Sequence, residues 1–171
     1  DFQFGKTADG RDIAFVQSYG STGTGFCMNT TNTNSGGWKN SHMMKTICPA
    51  FLNALPAAWR SAIKNCTKYS DNTGGGNDTA SYVTATTQKI FLLAEFEVHG
   101  TRYYANSAEK NYQKQYDYYK NGNSKVKNQH TSTGSACYWW VRSVYAANAA
   151  YFCRVGTGGG AYLSYAYSSN G

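Results

Sequence analysis

Apolar positions along the chain change period several times, and each change predicts an element. Ile13, Phe15 and Val16, following the turn pair Asp9-Gly10, predict a short strand. Residues 18 to 37 are rich in Ser, Thr, Gly and Asn and read as a long loop. Met44, Ile47, Phe51 and Leu55 then fall at helical spacing. Pro49 has no backbone N–H to donate, so one helix is expected to end near Cys48 and another to open on Pro49. Pro56 opens a third short helix in the same way, expected to bury Trp59 and Ile63. Residues 70 to 81 read as a polar loop. The apolar run Ile90 to Leu93 within KIFLLAEFEV reads as a central strand buried on both faces.

Ser107 is the expected N-cap of a helix running to Lys120, with Glu109 in its first turn and Gly122 as its stop. Tyr112, Tyr116 and Tyr119 would give that helix an aromatic face docked on the core. From Cys137 onward the pattern is strand, loop, strand, turn, strand. Trp139 to Val141, Tyr151 to Val155 and Ala161 to Tyr167 are the strands, and the Gly158-Gly159-Gly160 run supplies the hairpin turn. Trp139 and Trp140 are framework positions, at least one of them deeply buried. Helices placed early and an antiparallel sheet placed late predict an α+β fold. A length of 171 residues fits one domain over residues 1–171.

Composition narrows the function. Apolar residues reach 41% against 15% charged, which predicts a packed core rather than a disordered chain. Fifteen Tyr dominate the aromatic share. Tyr combines a large flat contact area with a hydroxyl at little conformational cost, which favours binding faces. The net charge of +7 raises a nucleic-acid partner, but the lysines are scattered from Lys6 to Lys127. Even the densest group, Lys120, Lys125 and Lys127, makes no continuous basic run, so a solvated surface is expected and nucleic acid is not. No apolar run reaches the length of a membrane span. The N-terminus has neither an initiator Met nor a signal pattern, so a segment processed from a longer protein is expected.

Five cysteines (Cys27, Cys48, Cys66, Cys137 and Cys153) include no CxxC pair, which disfavours zinc ribbons and thioredoxin-like sites. Mostly unpaired thiols and folding in a reducing compartment are expected. Asp71, Asn72, Asn77 and Asp78 carry oxygens that suit calcium, but their spacing is not that of an EF-hand, and no metal or cofactor is assigned. His42, His99 and His130 lie in three separate segments and read as surface or capping residues rather than general bases. Glu95 and Glu97 alternate with Phe96, as on an exposed strand face.

A compositional break falls near residue 143. Lys, Glu, Gln, Met and Trp occupy 27 of the 142 positions before Ser143 and none of the 29 from there to Gly171. These five amino acids, and no others, lack any codon ending in a pyrimidine. A region diversified at the first two bases of AAC-type codons would avoid these five and reach the rest. A hairpin of small residues that omits long side chains would give the same composition.

The stretches GGWKNSHMMKTICPAFLNALP, KIFLLAEFEVHGTRYYANSAEKNYQKQYDYYKNGNSK and GSACYWWVRS resemble bacterial and prophage proteins with a WWLRSP-type signature near the C-terminus. The match to that signature lies at Trp139, Trp140, Arg142 and Ser143. Such proteins are similar to the variable proteins of diversity-generating retroelements. The resemblance implies a C-type-lectin-like domain, with short helices packed on a small twisted antiparallel sheet, on a phage tail, virion or cell surface. Phe152, Val155 and Gly159 then fit frame positions, while Tyr145 to Tyr151, Arg154, Gly156, Gly158, Gly160, Tyr162 to Tyr165, Tyr167, Ser168 and Asn170 fit variable ones. Val144 departs from the signature's Pro, and a final apolar strand of GVxPxFxI type does not follow before Gly171.

The expected function is a binding module, not an enzyme. Its candidate ligand contacts, expected as one exposed patch, are Tyr145, Asn148, Tyr151, Arg154, Tyr162, Ser164, Tyr165, Tyr167, Ser168 and Asn170. The expected partner is a macromolecular ligand, a host or target cell-surface protein or glycan, met by a chain that can form a homo-oligomer within a larger assembly. One alternative is a structural virion or surface domain without a ligand. Another, an oxidase of the formylglycine-generating type, needs a close pair of reactive cysteines, and no two here lie nearer than sixteen positions in sequence.

Overall fold

The computed structural model describes residues 26–128 and 134–168. The strand expected around Ile13, His130 and Asn170 lie outside the described residues. The fold is mixed α+β, with few short helices and small antiparallel sheets.

Helical turns at Gly37–Asn40, Met43–Ile47, Cys48–Ala54 and Ala57–Ala62 come first. One helical turn ends at Ile47 and the next helix, Cys48–Ala54, opens with Pro49 in its first turn, as the sequence predicts. Met43–Ile47 is a π turn, and the Cys48 N–H reaches back five residues to the Met43 carbonyl. Pro49 sits in the first turn of the helix that follows, where proline's fixed φ suits the helix and its missing N–H is tolerated. Pro56 does open the helix Ala57–Ala62, but Trp59 is 48% exposed and Ile63 only half-buried. The helix lies on the surface instead of docking by its Trp.

Strands β1 (Cys66–Asp71) and β2 (Val83–Gln88) pair antiparallel, with Cys66 opposite Gln88 and Asp71 opposite Val83. The sequence reading missed both, because short runs of Thr, Ser and Lys give little hydrophobic alternation. The residues read as a polar loop therefore begin inside β1, where Ser70 and Asp71 are fully buried.

The Ile90–Leu93 run is not a strand. It leads into a short helix, Glu95–His99, whose first turn is closed by the Glu97 side chain accepting from the Ala94 N–H at 2.9 Å. The Leu92 and Leu93 carbonyls accept from Arg142 instead of joining a ladder. Nor is there one helix from Ser107 to Lys120. Asn106, not Ser107, is the N-cap, accepting from the Ala108 N–H, and a 3₁₀ turn covers Ser107–Asn111. The Tyr116 N–H then donates to the Glu97 carbonyl, and a new turn forms at Asp117–Lys120. The tyrosine stripe is correspondingly split, with Tyr112 exposed, Tyr116 half-buried and Tyr119 buried.

The C-terminal part follows the sequence expectation closely. After the short pair β3 (Lys127–Asn128) and β4 (Ala136–Cys137), strands β5 (Trp139–Val144), β6 (Tyr151–Val155) and β7 (Ala161–Tyr165) form an antiparallel sheet in that order. Gly159 takes φ +82 in the β6–β7 turn, a left-handed conformation that suits glycine. Side chains alternate across the sheet, and each face meets its own core cluster. Trp140, Val144 and Phe152 pack with Met28, Trp38 and Leu92 on one face. Val141, Cys153 and Val155 pack with Val98, Ala105 and Tyr119 on the other.

Trp140 is buried and donates its indole N–H to the Phe26 carbonyl at 2.8 Å, whereas Trp59 stands half in solvent. Trp140→Ala is therefore expected to destabilise the fold by about 3–5 kcal/mol. Trp59→Ala should remain within about 1 kcal/mol of wild type. Urea denaturation of the two variants checks the contrast.

Candidate functional site

The site is built on buried polar side chains. Arg142 is fully buried and spends its whole guanidinium on the frame. Its Nε donates to the Ser70 hydroxyl at 2.6 Å, and Nη1 to the Leu92 carbonyl at 2.8 Å. Nη1 and Nη2 hold both oxygens of Glu97 at 2.6 and 2.9 Å, in a bidentate pair. Lys68 adds a contact to Glu97 at 3.2 Å. Burial pushes the Glu97 carboxyl up, but the hydrogen bonds and charge of Arg142, the charge of Lys68 and the Ala94 N–H outweigh it and hold the group below its ordinary range.

Ser143 extends this frame. Its hydroxyl accepts from the Glu95 N–H at 3.0 Å and donates to Glu109 at 2.7 Å. The Glu95 carboxylate in turn accepts the backbone N–H groups of Tyr103, Tyr104 and Ala105 at 2.9 to 3.0 Å. Glu95 and Glu97 are thus buried helix residues that anchor backbone, not the exposed strand pair the alternation suggested.

The connection from β5 to β6 is gripped through its backbone. Asn34 is fully buried, and its Nδ2 lies within hydrogen-bond distance of the carbonyls of Tyr145, Asn148 and Tyr151, at 3.2, 2.9 and 2.8 Å. The Asn34 N–H donates to the Ala149 carbonyl, and its Oδ1 accepts from Gly75. Gly76, at φ +74, lets the neighbouring loop approach so closely that an added Cβ would sit 2.8 Å from the Ala149 nitrogen. Ala146 donates to the Tyr104 carbonyl, Ala166 to the Ala150 carbonyl, and Asn29 to the Ala166 carbonyl. Few of these bonds involve a side chain of residues 145 to 168.

The rings on this frame form a series. His99 meets Tyr103 edge-on at 5.4 Å, Tyr103 meets Tyr104 at 6.5 Å, and Tyr104 meets Tyr145 edge-on at 5.8 Å. Tyr145 meets Tyr151 at 6.3 Å, and Tyr151 stacks on Tyr165 at 4.4 Å. Tyr103 and Tyr165, toward the two ends, are 54% and 50% exposed. Tyr103, Tyr104 and His99 were not candidates from sequence. The only signal was the Tyr-Tyr pair after Gly100, and nothing local linked it to a segment forty residues later.

The nine sequence candidates among the described residues do not form one patch. Tyr151 pairs with Tyr165 and Arg154 with Tyr162, so alternation places the two pairs on opposite faces of the sheet. Tyr145, Tyr151 and Tyr165 join the ring series. Arg154 is buried, its guanidinium 3.8 Å from the Tyr138 ring centre and 5.1 Å from that of Tyr162, so it is a packed cation–π partner, not an open contact. Ser164 lies on the Arg154 face, half-buried. Tyr167 is exposed and Ser168 half-buried beyond β7. Asn148 is exposed, and its side chain closes its own turn by accepting from the Ala150 N–H.

Other candidate chemistry is committed to structure. Asp71 Oδ1 accepts from Thr73 and Gly74 and its Oδ2 from Asn106, while Asn72 Oδ1 accepts from Lys39. Asp78 accepts from the Ser107 N–H and from Arg102. The oxygens that suited calcium in sequence are thus largely taken, and the described residues contain no His, Cys, Asp and Glu group able to hold a metal. All five cysteines are free thiols, and burial pushes Cys48 up to about 12 and Cys137 up to about 11. Burial and the charge of Lys125 push His99 down to about 4, so it is neutral at physiological pH. No helix among the described residues is long and apolar enough to cross a membrane.

A family described as a domain of unknown function (DUF6273) matches residues 19–171. The chain belongs to the DUF6273 family. No curated protein and no solved structure matches it. The matched region takes in the whole DUF6273 frame described above, from Asn34 to Ser143, together with the ring series.

Within this DUF6273 domain Glu109 is the frame's titratable member. Complete burial raises its carboxyl to about 7, against the opposing pull of the Asp71 N–H, the Ser143 hydroxyl, Arg142 and Gln113. The folded state therefore binds this proton more tightly than the unfolded chain. The stability it contributes is full below the ordinary carboxyl range and is lost as pH rises toward 7. Glu97 has the opposite sign, with stability present above the ordinary carboxyl range and lost in acid. His99 acts against Glu109 in the same window, because its depressed value makes stability rise as pH climbs from about 4 toward its ordinary value. Denaturation at a series of pH values should therefore show Glu109→Gln gaining stability with pH between about pH 5 and 7 more steeply than the wild type, by up to roughly 3 kcal/mol, with the acid limb of Glu97 left in place.

Proposed function

We propose that this domain is a ligand-binding module that displays a tolerant aromatic surface, not an enzyme. The observation that carries the reading is the division of labour in residues 144 to 168. Their backbone is fixed by the β6–β7 ladder and, along residues 145 to 151, by groups outside the segment, above all Asn34, while Tyr145, Tyr151, Tyr162, Tyr165 and Tyr167 reach the surface as large rigid rings. Tyrosines with Ser and Asn between them suit adaptable contacts with a macromolecule. The loss of Lys, Glu, Gln, Met and Trp after residue 142 supports the same reading, since the break begins where the buried signature ends.

The small antiparallel sheet with short helices is compatible with a C-type-lectin-like domain of the kind used as a variable protein by diversity-generating retroelements. On that reading the partner is a protein or glycan of a host or target cell surface. The domain then sits on a virion or at a cell surface. The ligand face is the ring series from Tyr103 to Tyr165, which takes in Tyr145 and Tyr151 and is broader than the C-terminal segment alone.

Exposed side chains away from core contacts usually shift stability by no more than about 0.5 kcal/mol. A display library randomised at Tyr145, Asn148, Tyr151, Ser164, Tyr165 and Tyr167 should therefore keep most clones folded and yield selective binders against unrelated soluble proteins. A second library, randomised at Phe152, Cys153 and Val155, should lose most folded clones. If the first library unfolds as often as the second, or folds and yields no binders, the segment is framework and the binding reading fails.

A further inference from the structure

The β5–β6–β7 sheet has two edges, and the chain treats them differently. Along β5 the Arg142 N–H donates to the Leu93 carbonyl, so a neighbouring segment meets that edge. Along β7 the backbone stands open. The Gly156 N–H bonds the Gly160 carbonyl and the Ala166 N–H bonds the Ala150 carbonyl, one at each end of the β6–β7 ladder. Between them, antiparallel alternation makes Arg154–Tyr162 and Phe152–Ser164 the hydrogen-bonded pairs. The N–H and C=O groups of Ala161, Leu163 and Tyr165 therefore point out of the sheet. Among the described residues one bond reaches this row, from the Ser168 N–H to the Tyr165 carbonyl.

Soluble proteins usually blunt such an edge with Lys, Pro or a covering element, because an open row of backbone groups recruits another strand. β7 reads Ala-Tyr-Leu-Ser-Tyr, and neither a charged residue nor a Pro follows Arg154 as far as Gly171. We propose that β7 is an association edge that pairs antiparallel with β7 of a second copy of this chain, about a two-fold axis at Leu163.

Three properties select a second copy over a foreign strand. The outward groups lie symmetrically about Leu163, so the two-fold sets Leu163 opposite Leu163 and Ala161 opposite Tyr165. Every outward N–H then meets an outward C=O. The side chains fit the same register. Tyr165 faces Ala161 of the second copy and Tyr162 faces its Ser164, so each half-exposed ring lies beside a small residue. Lastly, a chain of net charge +7 places no charge on this edge, so two copies do not repel there and a charged strand finds no counter-charge. The Tyr165 rings of both copies project from one face of the joined sheet, but the association stands whether or not the ring series binds a ligand.

Sedimentation equilibrium of the intact chain up to about 1 mM tests this, with dimers expected at a dissociation constant on the order of 100 µM or tighter. Leu163→Lys and Leu163→Glu each set like charges directly opposite one another at the axis and should stay monomeric. An equimolar mixture of the two should associate again, because opposite charges then face each other. Amide exchange in the wild type gives a reading that needs no variant. The Leu163 and Tyr165 N–H groups should gain at least about tenfold protection as concentration rises, while those of Tyr162 and Ser164, bonded into the ladder, stay protected throughout. If circular dichroism shows that either charge unfolds the chain, the exchange result decides. A wild type still monomeric at about 1 mM, dimers kept by both folded charge variants, folded variants that do not associate on mixing, or Leu163 protection that ignores concentration would each overturn the proposal.

Discussion

Arg142 is a fully buried cation whose five donors must all find acceptors inside the protein. The chain meets that demand from four places. Glu97 supplies a bidentate carboxylate, Ser70 and Tyr69 supply a hydroxyl and a carbonyl from β1, and the Leu92 carbonyl comes from the segment before the helix. Leaving either ion of such a buried pair alone typically costs about 3–5 kcal/mol, so β1, the Leu92–Glu97 segment and β5 are fixed together or not at all. The same demand explains why Ile90 to Leu93 does not join a sheet. Two of its carbonyls are turned toward Arg142.

The frame reaches the surface through short relays. Glu109 and Ser143 connect β1 to β5, and Ser143 orders the start of the Glu95 helix. The Glu95 carboxylate then gathers three successive N–H groups and fixes where Tyr103 and Tyr104 stand. From the other side Asn34 gathers carbonyls of the 145–151 connection. One carboxylate and one amide thus set the backbone beneath both halves of the ring series. Because both hold backbone atoms, the side chains above them are largely released from folding duty. That physical condition lets a surface change its contacts without losing its shape.

How much of this was legible in the sequence varied with the kind of force involved. The β5–β7 sheet, its glycine turn and the burial of Trp140 were readable because alternation and burial are local properties. The helix opening at Pro49 was readable because proline's missing N–H is a local property, whereas the π form of the preceding turn was not. The KIFLLAEFEV run and the Tyr112–Tyr119 stripe were misread for one shared reason. Glu97, through its carboxylate and its carbonyl, recruits partners far along the chain, and those bonds override local periodicity. At the candidate site, Tyr145, Tyr151 and Tyr165 were expected from the composition of their segment together with the family resemblance, and the structure places them in one ring series. Tyr103 and Tyr104 were not, because only the Glu95 carboxylate brings them there. Arg154 looked like a contact residue in sequence and is a packed one, since Tyr138 and Tyr162 enclose its guanidinium.

The central claim is that the frame, not the rings, holds the backbone of the connection from residue 145 to 151. Native-state amide hydrogen exchange at Ala146, Ala150 and Ala166 measures this directly, because those N–H groups lie in or next to the gripped connection. With the rings of Tyr145, Tyr151 and Tyr165 all replaced by Ser, protection at these amides should stay close to that of the wild type. Asn34→Ala should strip it by at least about tenfold, as expected when three backbone carbonyls lose a shared donor. The reverse pattern, with protection lost in the serine variant and kept in Asn34→Ala, would contradict the account.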